Sequence, residues 1–110
     1  MKKIKLSVIV LSYNTKDLLD ECLSSLSKLR NELTFEVIVP DNGSRDGSPA
    51  MVEEKFPWVK KVIKIGKNLG LAAGNNKAGP YVFGEYVLFL NSDTVVYKNT
   101  LSGIIGYLDK

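Results

Sequence analysis

A continuous apolar run that ends in three polar residues constrains this chain more than any other feature. Tyr86-Val-Leu-Phe-Leu90 is preceded by Gly84-Glu85 and followed by Asn91-Ser92-Asp93. A short apolar run with polar boundaries predicts a strand that is buried on both faces. Because ligands of open α/β sheets bind beyond the carboxyl ends of the strands, the run places these three polar residues where a ligand is expected. Taken alone, Asn-Ser-Asp is equally typical of an ordinary turn.

Strand and helix patterns alternate along the rest of the chain. Further strands are predicted at 6–11, 35–39 and 59–65, and the lysines of the last run indicate an edge position. Helices are predicted from an N-cap at Asn14 or Thr15 to about Leu29, at 48–55, at 71–79 and at 99–108. This alternation predicts an α/β fold, a Rossmann-like, open and mostly parallel sheet with helices on both faces.

The polar turns after the first, second and fourth predicted strands meet at one edge of such a sheet. They place Tyr13, Asp41, Asn42, Asn91 and Asp93 around a common crevice. An acid after the second strand is where doubly wound folds bind a ribose hydroxyl. A carboxylate can also hold a metal ion that in turn holds a diphosphate. These residue types therefore favour a nucleoside diphosphate site.

Several other kinds of site are disfavoured. The turn after the first strand is Ser-Tyr-Asn rather than Gly-rich, and no Gly-Lys-Ser/Thr follows it, so dinucleotide and P-loop folds are disfavoured. The same turn disfavours a nucleotidyltransferase. The chain has no histidine, which excludes His-based triads and His-ligated zinc within it. Its one cysteine, Cys22, lies in an apolar helical pattern and is predicted to be a core residue.

The net charge is +3, with lysines clustered at 2–5 and 60–67. Such clusters attract phosphate, nucleic acid or anionic membranes, but no interleaved aromatic residues offer stacking platforms. We therefore expect solvated lysines and no nucleic-acid partner. No run approaches the length of a membrane span, and a cytoplasmic location is expected, with peripheral association at the inner face of the membrane as the alternative.

Four stretches, taken together, resemble glycosyltransferase family 2 enzymes of the GT-A fold. Val8-Ile-Val-Leu-Ser-Tyr-Asn14 is similar to their opening strand and turn. Val37-Ile-Val-Pro-Asp-Asn-Gly-Ser-Arg-Asp-Gly-Ser48 is similar to their second strand and acidic loop. Tyr86-Val-Leu-Phe-Leu-Asn-Ser-Asp93 is similar to the strand that ends in their Asp-x-Asp motif. Asn68-Leu-Gly-Leu-Ala-Ala-Gly-Asn-Asn76 resembles the loop and helix of the rhamnosyltransferase-like branch.

The resemblance implies a nucleotide-sugar donor and a divalent metal, Mg²⁺ or Mn²⁺. Asp93 is expected to ligate the metal, which bridges the two phosphates. The implied donor site consists of Ser12, Tyr13, Asp41, Asn42, Asn76, Asn91 and Ser92. Within it, Tyr13 stacks on the base, and Asp41 and Asn42 lie at the base and ribose. The implied acceptor is a glycan or a lipid-linked sugar, as in polysaccharide biosynthesis.

Simpler structural roles stay open for several of these residues. Tyr13 can cover the sheet edge, Asp41 can bond its own turn, and Asn76 can cap a helix. Asn91 and Asn42 stand where the family often has acids, and asparagine keeps the carbonyl oxygen but loses the charge. This departure fits either a particular donor subgroup or weakened binding.

The length of 110 residues is about half that of the family's catalytic domains. We therefore expect a single truncated domain over 1–110 that corresponds to the donor-binding half, without a residue that acts as the catalytic base. The alternative is a non-catalytic nucleotide-binding or assembly module on the same fold. An uncovered apolar surface on such a half predicts a two-fold homodimer.

Overall fold

The computed structural model describes residues 3–110, in which four strands form one parallel sheet. They are β1 (Leu6–Leu11), β2 (Phe35–Asp41), β3 (Lys61–Lys64) and β4 (Tyr86–Asn91), in the spatial order β3-β2-β1-β4. The helices are α1 (Lys16–Ser27), α2 (Ser48–Lys55), α3 (Leu71–Asn76) and α4 (Thr100–Leu108), with a 3₁₀ turn at Gly79–Tyr81. The predicted Rossmann-like parallel sheet is confirmed, and so is the edge position of β3. Lys2 of the first lysine cluster lies outside the described residues.

Both faces of the sheet are covered, but unequally. Val8 and Val10 of β1 belong to the main core, which buries side chains of α1, α2 and α4. On the opposite face, Ile9 and Ile38 pack against Ala78, at the end of the segment that contains α3. Successive strand residues point to opposite faces, so β1 contributes to both cores. Within residues 3–110, none of the helices is long and apolar enough to cross a bilayer.

β4 differs from the buried strand that its sequence predicts. Among the described strands it pairs only with β1, so it lies at the edge of the sheet. Tyr86, Leu88 and Leu90 pack against the main core, whereas Val87 and Phe89 are 44% and 59% exposed. The prediction of burial on both faces is therefore wrong for residues 3–110, because no described element covers the outer face of this strand.

A buried carboxylate, Glu36, links the amino ends of the strands. Its oxygens accept hydrogen bonds from Ser7 Oγ at 2.5 Å and from the Phe83 amide at 2.8 Å, and Lys60 Nζ lies at 2.9 Å. Burial raises the pKa of Glu36, but these hydrogen bonds and the charge of Lys60 outweigh it and hold the pKa below its usual value. The ionised carboxylate thus joins β1, β2 and the segment that enters β4.

Gly84 permits the close approach of that segment to β1. A Cβ atom at Gly84 would lie 2.5 Å from the Ser7 backbone nitrogen and 2.6 Å from Ser7 Oγ, the atom that accepts the Gly84 N–H bond. No room exists for a methyl group unless the two backbones separate. A glycine is therefore required where β4 joins the sheet.

We predict that Gly84→Ala lowers the free energy of unfolding by about 3 kcal/mol, because the added methyl group forces the backbones of the two segments apart. Chemical denaturation measures this change. The matched control is Gly103→Ala, where a Cβ atom meets nothing within 4 Å inside α4. That control should gain about 0.5–1 kcal/mol from helix propensity. Equal stabilities of the two variants would contradict the packing described for Gly84.

Candidate active site at the carboxyl edge of the sheet

The carboxyl ends of β1, β2 and β4 lie level with one another. Leu11 is the register partner of Asn91, and Ser12 forms an isolated parallel bridge with Asp41. The Asn42 amide donates to the Ser12 carbonyl at 2.9 Å and extends this pairing by one residue. The polar turns that the sequence predicts at one edge are therefore adjacent in the structure.

A cleft of about 380 Å³ opens at this edge between α1, α3 and β4. Its polar walls are formed by Thr15, Asn75, Asn91, Ser92 and Asp93. The remaining walls are apolar, from Leu11, Leu18, Leu71, Phe89 and Leu90. Asp93 is the one charged residue among these described walls, so the cleft has a negative charge and no lysine or arginine to balance it.

The Asn91–Asp93 segment is both a turn and a wall of the cleft. The Thr94 amide donates to the Asn91 carbonyl at 3.0 Å, which closes the turn. The hydroxyls of Thr15 and Ser92 lie 2.9 Å apart and form a hydrogen bond. Cys22 is buried behind this turn, and burial, with the charge of Asp93 adding to it, raises the pKa of its thiol to about 11. Cys22 is thus a core residue and not a nucleophile at neutral pH.

Side-chain to backbone hydrogen bonds join the loops after β1 and β2. Asn14 has a left-handed φ of 51°. Its side-chain oxygen accepts a hydrogen bond from the Arg45 backbone amide at 2.8 Å, and its backbone amide donates to Ser44 Oγ at 2.8 Å. Ser44 in turn donates its hydroxyl and its amide to the two carboxylate oxygens of Asp41, at 2.7 and 2.8 Å. These hydrogen bonds therefore join the two loops.

The side chains of Asp41 and Asn42 are both buried. Each is only 2% exposed. Asp41 makes the turn contact that the sequence leaves open, since its carboxylate bonds Ser44 three residues later, and its contact with a nucleoside stays a prediction. The Asn42 side chain donates to the Gly70 carbonyl at 3.1 Å and accepts from the Leu69 amide at 3.4 Å, so it holds the loop that leads into α3. These bonds give the Asn42 side chain a supporting role, and its contact with a ligand stays a prediction.

Ser12, the third buried residue of the predicted donor site, stays a predicted site residue. The residue has 0% exposure, and its hydroxyl is the buried polar side-chain atom of residues 3–110 that lacks a hydrogen-bond partner. Ser12 follows Val10 on the face of β1 that carries the main core, because strand side chains alternate. Its hydroxyl is therefore enclosed by the fold and does not line the cleft.

Tyr13 and Asn76 are exposed, but neither is among the cleft walls in the described chain. Tyr13 is 47% exposed on the loop after β1. At α3, the residue that lines the cleft is Asn75 and not its neighbour Asn76. One residue along a helix changes the direction of the side chain by about 100°, so adjacent asparagines cannot both face the same cleft. Of the predicted site residues, the cleft thus brings together Asn91, Ser92 and Asp93.

Sequence reasoning also missed Asp46, which organises two helix starts. One carboxylate oxygen accepts from the Lys16 amide at 3.0 Å, and the other accepts from the Ser48 amide at 3.0 Å and from the Ser48 hydroxyl. Burial raises the pKa of Asp46, but the bonds from Ser48 and Lys16 outweigh it and the net shift is downward. An Asp two residues before a helix start was the available signal.

A metal ion fits this site only if the ligand contributes to its coordination. The described residues contain no cluster of three potential ligands among His, Cys, Asp and Glu. Asp93 is exposed and offers one carboxylate, and Asn91 lines the same cleft. Mg²⁺ commonly uses one or two protein carboxylates and takes its remaining ligands from phosphate and water. The donor set therefore fits a hard divalent cation that is shared with a diphosphate.

The four-stranded parallel sheet, with a cleft at its carboxyl edge, has the fold of GT-A glycosyltransferases. Residues 7–110 match the model of Glycosyl transferase family 2, and the chain belongs to that family.

Among curated relatives, the chain is 38% identical to the uncharacterized glycosyltransferase YfnE of Bacillus subtilis over 102 residues. That match covers 90% of this chain and 26% of YfnE. It is 36% identical over 110 residues to the poly(ribitol-phosphate) beta-N-acetylglucosaminyltransferase TarS of Staphylococcus aureus, of which it covers 19%. The chain thus spans about a fifth to a quarter of the length of these relatives.

Two solved structures show the same fold. TarS residues 1–349 of S. aureus in complex with UDP-GlcNAc superpose with a TM-score of 0.83 at 34% identity, over 96% of this chain and 31% of that chain. The mannosyltransferase PcManGT of Pyrobaculum calidifontis, in complex with GDP-Man and Mn²⁺, superposes with a TM-score of 0.86 at 26% identity. This second match covers all of this chain and 34% of PcManGT.

We predict that Asp41→Ala lowers the free energy of unfolding by about 1–3 kcal/mol, because the Ser44 amide and hydroxyl lose their acceptor. Asp41→Asn keeps a carbonyl oxygen for Ser44, so its free energy of unfolding should fall by less than that of Asp41→Ala. Thermal or chemical denaturation measures both variants, and Glu54→Ala, which removes an exposed carboxylate from α2, should stay within about 0.5 kcal/mol of the parent. A fully stable Asp41→Ala variant would show that the Asp41–Ser44 contact is dispensable.

Proposed function

We propose that this chain binds the nucleotide part of a nucleotide-sugar donor, as part of a glycosyltransferase that transfers the sugar to a glycan or lipid-linked acceptor. The observation that carries the proposal is the exposed carboxylate of Asp93 on the wall of a cleft at the carboxyl edge of the sheet. Family membership supplies the reaction class. The UDP-GlcNAc and GDP-Man complexes of similar structures support the class of donor.

The charge of the cleft explains why a divalent cation belongs to this proposal. Its described walls carry one charge, on Asp93, and no cationic side chain. A diphosphate placed beside Asp93 would be repelled at close range. A divalent ion that contacts both groups converts this repulsion into attraction. Bound there, Mg²⁺ or Mn²⁺ would neutralise the charge that develops on the leaving nucleoside diphosphate.

The other residues divide into those that contact the donor and those that support the site. We propose that Tyr13, which is exposed on the loop after β1, stacks on the base. Asn91 and Asn75 offer amide groups to the donor within the cleft. Asp41 and Asn42 hold the surrounding loops through Ser44 and Gly70, and any contact of the Asp41 carboxylate with the ribose or base is made from this buried position.

We predict that the effect of Asp93→Asn on nucleotide affinity depends on whether metal is present. In Mn²⁺, the variant should bind UDP or GDP about tenfold more weakly than the parent, since a charge-assisted contact contributes about 1.5–3 kcal/mol. In EDTA, the variant should bind as tightly as the parent or more tightly, because the repulsion between Asp93 and the diphosphate is gone. Titration calorimetry under the two conditions measures both affinities.

Glu54→Gln, which removes an exposed charge from α2 away from the cleft, provides the matched control and should behave as the parent does. If the parent binds UDP and GDP equally well in Mn²⁺ and in EDTA, the metal role of Asp93 is wrong. If neither nucleotide binds under any condition, the proposed donor site itself is wrong.

The exposed side of β4 favours an additional assembly role. Val87 and Phe89 project from a strand that, within residues 3–110, has a neighbour on one edge only. An apolar edge strand with free backbone groups is a template for pairing with another strand. Two copies of one strand are self-complementary about a two-fold axis. We therefore propose that two copies of this chain pair through β4.

Light scattering across a concentration series tests this pairing. The parent mass should rise towards twice that of the monomer, whereas Val87→Lys should stay monomeric because it places a charge on the pairing surface. Val95→Lys is the matched control, since Val95 is 43% exposed against 44% for Val87 and lies outside β4. A parent chain that stays monomeric at every concentration would overturn the proposed pairing.

A further inference from the structure

Thr15 occupies the N-cap position of α1 but does not cap the helix. N-cap threonines usually accept a hydrogen bond from an amide in the first turn. The Thr15 side chain makes no such bond, and its hydroxyl is instead paired with Ser92 Oγ at 2.9 Å. Both residues line the cleft next to Asp93.

Asp46, in the loop after β2, caps the start of α1 instead of Thr15. The Asp46 carboxylate accepts the amide of Lys16, the first residue of α1, at 3.0 Å. A carboxylate at this end of a helix also interacts favourably with the helix dipole. The first amide of α1 is therefore satisfied without Thr15, whose hydroxyl remains available for Ser92.

A continuous series of contacts runs across the edge of the sheet to this hydroxyl pair. The Asp41 carboxylate holds Ser44, and the Ser44 hydroxyl accepts the amide of Asn14, the residue before Thr15. The Thr15 hydroxyl then reaches Ser92, the residue before Asp93. The loops after β1 and β2, which carry the proposed nucleoside side, are thereby connected to the turn that carries the proposed metal ligand.

We infer that Thr15 is a positioning residue that holds the Asn91–Asp93 turn, through Ser92, in the conformation that binds the metal and the diphosphate. This inference rests on the proposed function of the cleft. Asp93 forms no ion pair with any described residue, so its position depends on the backbone of the turn. The Thr15–Ser92 bond joins a side chain of the turn to the N-cap residue of α1, while the Cys22 thiol of α1 lies 4.0 Å from the Asn91 carbonyl oxygen.

The experiment compares Thr15→Val, Thr15→Ser, Ser92→Ala and the double variant Thr15→Val/Ser92→Ala in the full chain. Calorimetry with UDP and with GDP, in MnCl₂ or in EDTA, gives the metal-supported and metal-free affinities. Thr15→Val should lower the Mn²⁺-supported affinity about three- to tenfold, as expected for the loss of one hydrogen bond, and leave the affinity in EDTA unchanged. Thr15→Ser keeps the hydroxyl and should restore the parent affinity.

The double variant separates this contact from two independent effects. If the two hydroxyls act on the turn only through each other, Ser92→Ala and the double variant should each lose about as much as Thr15→Val alone. Thr94→Val is the matched control, because it makes the same substitution next to Asp93 without touching the pair, and it should bind as the parent does. Circular dichroism and denaturation establish that each variant is folded.

The outcomes distinguish this inference from the function on which it rests. A parent affinity that does not depend on Mn²⁺ would overturn the metal role in the proposed function and this inference with it. If the parent depends on Mn²⁺, the inference alone is overturned by an unchanged Thr15→Val variant, by additive losses in the double variant, or by equal losses in Mn²⁺ and EDTA, since equal losses indicate a general structural defect.

Discussion

The arrangement of the site depends on the pairing of β1 with a strand on each side. Leu6 is the register partner of both Phe35 and Tyr86, so β2 and β4 enter the sheet level with each other. A shift of one residue in either ladder would exchange the faces of that strand and move its carboxyl end relative to the others. Because β1 supplies side chains to both cores, such a shift would also bury polar groups and expose apolar ones. The core thus fixes the position of the loops that form the site.

Much of this architecture could be predicted because it follows from local patterns. Alternating apolar runs and helical spacings identified the strands, the helices and the parallel direction of the strands, and the lysines of β3 indicated its edge position. The exposure of β4 could not be predicted in this way. A continuous apolar run shows that both faces of a strand are suited to burial. It does not show which other elements of the fold cover those faces. In residues 3–110, only the face of β4 that carries Leu88 and Leu90 is covered.

The site was predicted less completely. Its polar side chains can hydrogen-bond either to backbone groups or to a ligand, and the sequence does not distinguish the two. The sequence identifies Asp41 and Asn42 as polar groups at a strand end, but their partners Ser44 and Gly70 come from loop geometry. The contacts of Asn42 also require a glycine at position 74. A Cβ atom at Gly74 would lie 2.9 Å from the Asn42 amide group. The choice of Asn75 over Asn76 depends on the rotation of a six-residue helix, which local patterns do not determine.

The acids at this edge therefore differ in what the fold requires of them. Asp41 and Asp46 are engaged by backbone amides and hydroxyls, so their charges are largely used to hold the loops. Asp93 is exposed and, among residues 3–110, makes no ion pair. An exposed carboxylate without an ion-pair partner in the described chain is available to a ligand or a cation. Substitution of Asp93 consequently reports on binding with little effect on stability, whereas substitution of Asp41 changes stability and the shape of the site together.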